Sequence, residues 1–296
     1  MIAIMGASGK TGGGAAGLLL AAGEKVRVMG RSAERLKDFA AHGAEVAAGD
    51  AEDAAYLTKA FTGADAAYVL MPPNVTAPDY RAQQMRMGEA IAKGVKASRV
   101  PRVVMLSSIG ADQRSGTGPI VGLRELEDRL KAISGVSVLA LRPGYFYENH
   151  LGTVGLVKQQ GINGSAIDGD LPTAMVASRD IAEAAAEALQ AKDTTPFAIR
   201  ELHGRRHMTM KEVTFVIGQA VGKPELPYVQ FPYDDLVQAL VGMGLSESMA
   251  GLYGEMSRAF NEGRIRPTLP LGPDTATPTR FEDWVMDAYL AAYKAA

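Results

Sequence analysis

Residues 5–14, MGASGKTGGG, carry two different signals for phosphate binding. Gly9-Lys10-Thr11 looks like the end of a triphosphate-binding Walker loop, which needs a further glycine five positions before Gly9. That position holds Ile4, so the loop is too short to enclose a triphosphate, and Lys10 is not placed to bind one. The sequence therefore argues against an ATP site.

The second signal is the recurrence of Gly6, Gly9 and Gly12 directly after the apolar run Ile2–Met5. A strand, a glycine turn and a helix in this order are typical of a dinucleotide-binding domain, where the backbone approaches a pyrophosphate at the helix N-terminus. The alternative is a glycine-rich loop with no ligand. Its position at the first strand-to-helix turn favours the dinucleotide.

The end of the next predicted strand indicates which dinucleotide binds. NAD sites usually place a carboxylate there to bind the ribose hydroxyl, whereas this strand ends in Gly30-Arg31-Ser32. A guanidinium at Arg31 can pair with the additional phosphate of NADP and stack on adenine. The sequence favours NADP(H) and leaves NAD(H) open.

These residues need a framework, and the chain alternates strands and helices up to residue 144. Six strands separated by helices predict an α/β fold, a Rossmann-type doubly wound parallel sheet. The predicted strands are 2–5, 25–29, 44–48, 65–70, 102–106 and 136–141, and the predicted helices are a first one ending near 22, then 32–41, 52–61, 78–95 and 120–133.

Ligands of such sheets lie across the carboxyl ends of the strands, so residues at those ends are predicted to form the cofactor site. Asp50 is expected near adenine, and Ser107 and Ser108 near nicotinamide. The predicted cofactor-binding residues are Gly6, Ser8, Gly9, Lys10, Thr11, Gly12, Arg31, Asp50, Leu70, Met71, Pro72, Ser107, Ser108, Pro143, Tyr145 and Phe146.

Beyond residue 150 the strand–helix rhythm changes, which predicts a Rossmann domain over 1–150 and a smaller lobe over 151–296. Segment 177–203 is expected to return to the Rossmann domain. The lobe is expected to roof the nicotinamide end, with a proline-rich loop at 263–279 ordering over substrate. Its candidate roof residues are Met208, Met210, Tyr228, Phe231, Tyr253 and Phe260.

Composition excludes several classes of protein. A formal charge of −2 and a pI near 6.1 give no reason to expect a nucleic-acid partner. The absence of cysteine excludes disulfides, thiolate nucleophiles and cysteine metal sites. No signal peptide or membrane span is expected, so we expect a cytoplasmic protein. We also expect it to be a monomer or a homodimer.

Two shorter patterns have ordinary structural readings. His203 and His207 have a metal-like spacing, but Gly204 and the strand-to-loop context spoil the geometry, so no metal site is predicted. Arg205 and Arg206 are expected in a solvated or cofactor-facing loop. Segment 125–129 is expected to be an exposed helix face with local ion pairs.

Four short motifs occur in order along the chain, at Gly6–Gly12, Gly30-Arg31, Gly49-Asp50 and Ser107-Ser108. Two longer motifs follow them, and the order and spacing of all six are informative. The longer motifs are LRPGYFYENHL at 141–151 and ASRDIAEAAAEAL at 177–189. Together the six motifs resemble the NmrA-like group of atypical short-chain dehydrogenases, over roughly the first 200 residues. Within that group the chain is most similar to NAD(P)H-dependent quinone oxidoreductases. The resemblance implies a Rossmann fold, NAD(P) binding and a small-molecule acceptor.

Conventional short-chain dehydrogenases use a Tyr-x-x-x-Lys pair, and this chain lacks it. Segment 109–135, which follows Ser108, contains no tyrosine, and Pro119 and Leu123 occupy the positions where the pair would fall. Acid catalysis by that pair, and sugar epimerisation with it, are therefore not expected. Tyr145 and His150 are the candidate proton donors, and Tyr147, Asn149 and His150 are the candidate substrate-binding residues, with core packing as the alternative for each.

Two functions follow. The first is an NADPH-dependent reductase of a quinone or another electron-poor planar acceptor, which needs little acid catalysis because the product is a stabilised phenolate. The second is a catalytically weak NADP(H)-binding redox sensor that acts through protein partners. The missing pair supports the sensor, and the substantial C-terminal lobe supports the reductase.

Overall fold

The computed structural model describes all 296 residues and has seven parallel strands in its main sheet. They run in the order β3-β2-β1-β4-β5-β6-β10, which confirms the predicted doubly wound α/β fold. The strands are β1 (Ile2–Met5), β2 (Val26–Gly30), β3 (Glu45–Ala48), β4 (Ala66–Val69), β5 (Arg102–Leu106), β6 (Ser137–Pro143) and β10 (Phe197–Leu202).

The central strands are continuous apolar runs, because helices cover both faces of a parallel sheet. All four residues of β1 and of β4 are buried. The flanking helices are α1 (Lys10–Ala21), α2 (Lys37–Ala41), α3 (Ala54–Phe61), α4 (Tyr80–Ser98), α5 (Ile120–Lys131) and α7 (Ser178–Gln190). Helix α4 packs against α3 and α5, while α1 packs against α7.

Helix α7 and strand β10 come from the second half of the chain but pack on the first. Ala182, Ala185 and Leu189 of α7 belong to the same 40-residue core as β1 and β4. Strand β10 extends the sheet by pairing in parallel with β6. The main sheet is therefore built from two separate stretches of the chain.

The remaining residues surround a second core of 22 buried residues, which contains Tyr147, Phe281, Trp284 and Tyr289. Its strands are β7 (Tyr145–Phe146), β8 (Asn163–Ser165), β9 (Thr173–Val176), β11 (His207–Met208) and β12 (Tyr228–Gln230). Its helices are α6 (Val154–Gln159), α8 (Met210–Val221), α9 (Tyr233–Gly242), α10 (Glu247–Asn261), α11 (Phe281–Trp284) and α12 (Leu290–Ala295).

Several element bounds differ from the sequence predictions. The helix predicted over 32–41 is a 3-10 turn at Glu34–Leu36 followed by α2, which is only five residues long. The C-terminal helical segment, Phe281–Ala295, is divided by a π-helical turn at Val285–Tyr289. Strands β7, β8, β9 and β11 were not predicted, because runs of two to four residues show too little alternation. None of the helices combines the length and the hydropathy that spanning a bilayer requires.

Candidate functional site

The glycine turn between β1 and α1 brings the backbone at the start of α1 close to the carboxyl end of β1. Gly6 has a φ of +65°, which favours glycine, and the amide of Gly9 donates to its carbonyl oxygen at 2.8 Å. A Cβ on Gly12 would lie 2.6 Å from the carbonyl oxygen of Met5. Only glycine at position 12 lets α1 begin this close to β1, so amides of its first turn are free to bind an anion.

Beside this turn is a polar groove of about 510 Å³ at the carboxyl ends of β1, β2 and β3. Arg31 and Arg35 line it, and neither forms an ion pair or a hydrogen bond within the protein. Asp50 lines the same groove, and its carboxylate accepts from the amide of Glu52 at 2.9 Å. The groove therefore offers two uncompensated guanidinium groups to a ligand.

Glu52 is the other acidic residue of the groove, but its carboxylate is occupied. Gln83 donates to it at 2.6 Å, and Arg86 forms an ion pair with it at 2.7 Å. These contacts hold the pKa of Glu52 below its usual value, against a smaller opposing effect of burial. Glu52 consequently does not neutralise Arg31 or Arg35.

A second, mostly apolar cavity of about 440 Å³, the inner cavity, adjoins this groove, and Pro73 lines both. Ser107 and Ser108 after β5, and Pro143 and Gly144 at the end of β6, form its wall on the sheet side. The opposite wall comes from α10 and the loop that follows it. The residues of that wall are Met249, Tyr253, Met256, Phe260, Gly263, Ile265, Arg266 and Pro267.

Three phenols reach this inner cavity: Tyr80, Tyr145 and Tyr253. Burial raises the pKa of all three above the usual tyrosine value, to about 12 for Tyr80. Each hydroxyl is therefore protonated at neutral pH and can donate a hydrogen bond. Tyr145, on β7, lies beside the ends of β5 and β6 and shares the wall with Phe146 and Asn149.

Ser107 is connected to a buried ion pair behind the cavity wall. Its hydroxyl donates to the Glu127 carboxylate at 2.5 Å, and Arg142 binds the same carboxylate through two hydrogen bonds of 2.9 and 2.6 Å. Because Glu127 is only 2% exposed, the expectation that segment 125–129 is a solvated face is wrong for this residue. The α5 turn that carries Glu127 faces the sheet, while Arg124 and Asp128 pair on the outside.

Tyr147 and His150 lie outside the inner cavity, which corrects the expectation that they line it. Tyr147 is 1% exposed, and its ring packs 5.0 Å from Phe281 and 5.8 Å from Trp284. His150 is 3% exposed, and its ring centroid is 5.3 Å from that of Tyr145. Burial lowers the pKa of His150 to about 4, so it is uncharged at neutral pH and is separated from any acceptor in the cavity.

The other sequence-predicted residues divide between the two cavities and the helix N-terminus. Gly6, Ser8, Arg31, Asp50 and Pro72 line the polar groove. Gly9, Lys10, Thr11 and Gly12 form the turn and the first turn of α1, with the Lys10 side chain exposed. The inner cavity is lined by Leu70, Met71, Ser107, Ser108, Pro143, Tyr145, Phe146 and Asn149.

Of the candidate roof residues, Tyr253 and Phe260 line the inner cavity, whereas Met208 and Met210 belong to the second core. Tyr228 and Phe231 also lie outside the lining. Sequence reasoning missed Tyr80, Gln84, Met249, Met256, Ile265 and Arg266. The proline-rich character of 263–279 predicted a loop, but no local pattern distinguished the residues of this loop that line the cavity.

The loop after α10 is held in place by a buried carboxylate on β10. Glu201 accepts hydrogen bonds from the Thr268 amide at 3.1 Å, the Thr268 hydroxyl at 2.7 Å and the Leu269 amide at 3.1 Å. His203 contacts the same carboxylate at 2.9 Å. Despite burial, these hydrogen bonds lower the pKa of Glu201 to about 2. His203 is therefore part of the anchor of this loop, while Arg206 pairs with Glu212 and Glu282.

Comparisons with known proteins agree with this architecture. A model of the NmrA-like family matches residues 1–285. An NAD(P)H azoreductase from Xenophilus azovorans is 27% identical over 300 residues, spanning 100% of both chains. A (4-alkanoyl-5-oxo-2,5-dihydrofuran-3-yl)methyl phosphate reductase from Streptomyces griseus is 30% identical over 286 residues, 96% of each chain.

Among solved structures, an NADPH-dependent quinone oxidoreductase from Escherichia coli, complexed with NADPH, is similar with a TM-score of 0.80. The alignment covers 98% of this chain and 100% of that one, at 22% identity. At this level of identity the similarity shows a shared fold.

Proposed function

The chain belongs to the NmrA-like family, and from this premise we propose that it is an NADPH-dependent reductase of a quinone or a similar electron-poor planar acceptor. The observation that carries the proposal is that the polar groove and the apolar cavity adjoin at Pro73, along one edge of the sheet. A dinucleotide lying along this edge would place its nicotinamide at the apolar end.

The residues of the polar groove fit NADP(H). The close approach at Gly12 leaves room for a pyrophosphate at the N-terminus of α1. Arg31 and Arg35 provide donors for the ribose phosphate that distinguishes NADPH from NADH. Asp50, which follows β3 and lines the groove, would lie near the adenine end.

The inner cavity fits an apolar acceptor. Its walls are mainly aliphatic and aromatic side chains, and its volume is within the range of sites for small organic ligands. Exclusion of water and alignment of the acceptor against the sheet edge would supply most of the rate.

When bound, reduced nicotinamide supplies the hydride. The protein residues orient the acceptor and stabilise the negative charge that develops on its oxygen. Tyr145 is the candidate donor to that oxygen, because it lines the cavity and its raised pKa keeps the hydroxyl protonated. Asn149 lines the cavity with it. Reduction yields a phenolate, so a hydrogen bond is sufficient where a carbonyl-to-alcohol reduction would need full proton transfer.

The test is NADPH oxidation measured against a panel of quinones and azo and triphenylmethane dyes, beside calorimetric titrations of NADPH and NADH. Turnover of at least one acceptor class supports the reductase. Tight binding of NADPH without turnover on any acceptor would contradict it and favour a sensor. Two relatives of this chain, the azoreductase from Xenophilus azovorans and the phosphate-ester reductase from Streptomyces griseus, are reductases, which supports turnover by this protein.

A further inference from the structure

The inner cavity has a single charged residue in its lining, Arg266. Its side chain is exposed, and it forms no ion pair or hydrogen bond within the protein. All other lining residues are apolar or uncharged. The cavity therefore combines a neutral interior with one free guanidinium.

Two carboxylates near Arg266, one on the same segment and one that contacts the residues after it, are already occupied. Glu262 pairs with Arg264. The Glu201 carboxylate is directed at Thr268, Leu269 and His203. Neither of these carboxylates neutralises Arg266, so an anion in the cavity would not compete with them.

The backbone that carries Arg266 is anchored on both sides. Before it, Ile265 is buried in the second core, and its amide donates to the Ala259 carbonyl oxygen at 3.2 Å. After it, the Thr268 amide and hydroxyl are bound by Glu201. Because the backbone is already fixed, binding a ligand through Arg266 does not have to order the loop.

We propose that the acceptor carries an anionic substituent, a carboxylate, sulfonate or phosphate, and that Arg266 binds this group while the planar body of the acceptor enters the apolar cavity. A guanidinium is suited to this task because it offers two parallel N–H donors to such oxyanions. The proposal rests on the proposed function only in taking the ligand of this cavity to be the molecule that is reduced.

The first experiment measures binding without turnover. The ligand pair is N-phenylnaphthylamine and anilinonaphthalene sulfonate, which share a ring system and differ in the sulfonate, and both are followed by fluorescence. We expect R266Q to weaken binding of the sulfonate about five- to tenfold, as for a partly exposed charge-assisted contact, and to leave the neutral compound within about twofold. R266K should lie between wild type and R266Q, because it retains the charge but not the paired donors.

The matched control is R264Q, which removes a neighbouring arginine that is paired with Glu262 and lies outside the lining. It should leave both affinities within about twofold. Equal loss for the two ligands in R266Q, or an equal loss of sulfonate binding in R264Q, would overturn the assignment.

The second experiment measures NADPH oxidation with naphthoquinone and naphthoquinone sulfonate. R266Q should raise KM for the sulfonate about five- to tenfold and leave KM for naphthoquinone and the Kd of NADPH unchanged. A loss of NADPH affinity instead would assign Arg266 to the cofactor and contradict the proposal. If neither quinone is reduced but sulfonate binding still depends on Arg266, the proposed function fails and the anion site stands.

Discussion

Arg142 and Glu127 form a bidentate ion pair in the interior, with Nε to Oε1 at 2.9 Å and Nη2 to Oε2 at 2.6 Å. The pair joins β6 to α5 directly behind the inner cavity. Ser107 donates to the same carboxylate, so its hydroxyl proton points away from the cavity. Ser107 therefore directs its acceptor lone pairs toward the cavity, and Glu127 holds the Ser107 hydroxyl in this orientation.

Removing Glu127 should be strongly destabilising. Glu127→Ala leaves the Arg142 guanidinium buried without a counter-charge, for which we expect a loss of about 3–5 kcal/mol in the free energy of unfolding. Urea unfolding followed by circular dichroism measures this loss. The control is Asp128→Ala on the exposed side of the same helix, which loses only its pair with Arg124 and should cost about 1 kcal/mol or less. Similar costs for the two variants would contradict the role of the buried pair.

Arg31→Asp should change which cofactor is preferred. Loss of a charge-assisted contact with the ribose phosphate should weaken NADPH binding about tenfold or more, while NADH loses far less. Calorimetric titration of both cofactors provides the measurement. Lys37→Asp is the control, since Lys37 pairs with Glu34 and does not line the groove. An equal loss for NADPH and NADH in Arg31→Asp would remove the assignment of this residue.

Two glycines of α1 give a matched test of the turn. In Gly12→Ala the new methyl group would meet the Met5 carbonyl oxygen at 2.6 Å, so we expect a loss of about 1–3 kcal/mol in stability and a marked loss of NADPH affinity. Gly17→Ala meets no atom within 4 Å and should stabilise the protein by up to about 1 kcal/mol with binding unchanged. Thermal unfolding and cofactor titration compare the two. Full cofactor affinity in Gly12→Ala would show that the close approach is not required.

Tyr145→Phe should lower kcat for quinone reduction about tenfold, because it removes a hydrogen bond to the developing oxyanion and keeps the ring. Tyr147→Phe is the control, because Tyr147 is buried in the second core and should leave kcat within about twofold. Burial raises the pKa of Tyr145, so its ionisation should not reduce kcat below pH of about 10, its ordinary pKa. A larger effect of Tyr147→Phe than of Tyr145→Phe would reverse the assignment.

His150 should make the free energy of unfolding depend on pH in the acidic range. Its pKa is about 4 in the folded protein and about 6.5 when unfolded, so the unfolded chain binds more protons between these values. Stability from this group is fully present above pH of about 6.5, and up to about 3 kcal/mol is lost as the pH falls to about 4. Urea unfolding of wild type and His150→Phe over this range isolates the contribution, and the variant should show a shallower decline. Parallel curves for the two proteins would contradict it.

The sequence by itself was sufficient to predict the parallel sheet, the alternation of its strands and helices along the chain, and the glycine turn. These depend on short-range signals: apolar runs such as Val103–Met105, helix starts, and the spacing of Gly6, Gly9 and Gly12. The residues predicted at strand ends were found at the sheet edge because parallel strands place their carboxyl ends together. Arg31 follows the same logic, since its place is set by the end of β2.

Only the tertiary structure decided how the inner cavity is closed. Tyr80, Tyr253 and Arg266 are far apart in the chain and meet across the cavity through long-range packing. Periodicity identifies two sides of α5, but it was the sheet and Arg142 that made one of them the place for a buried Glu127. Tyr147 and His150 both pack against Phe281 of the last helices, where burying these rings together removes apolar surface from water. Local sequence holds no information on such partners, since they are joined only when the chain folds.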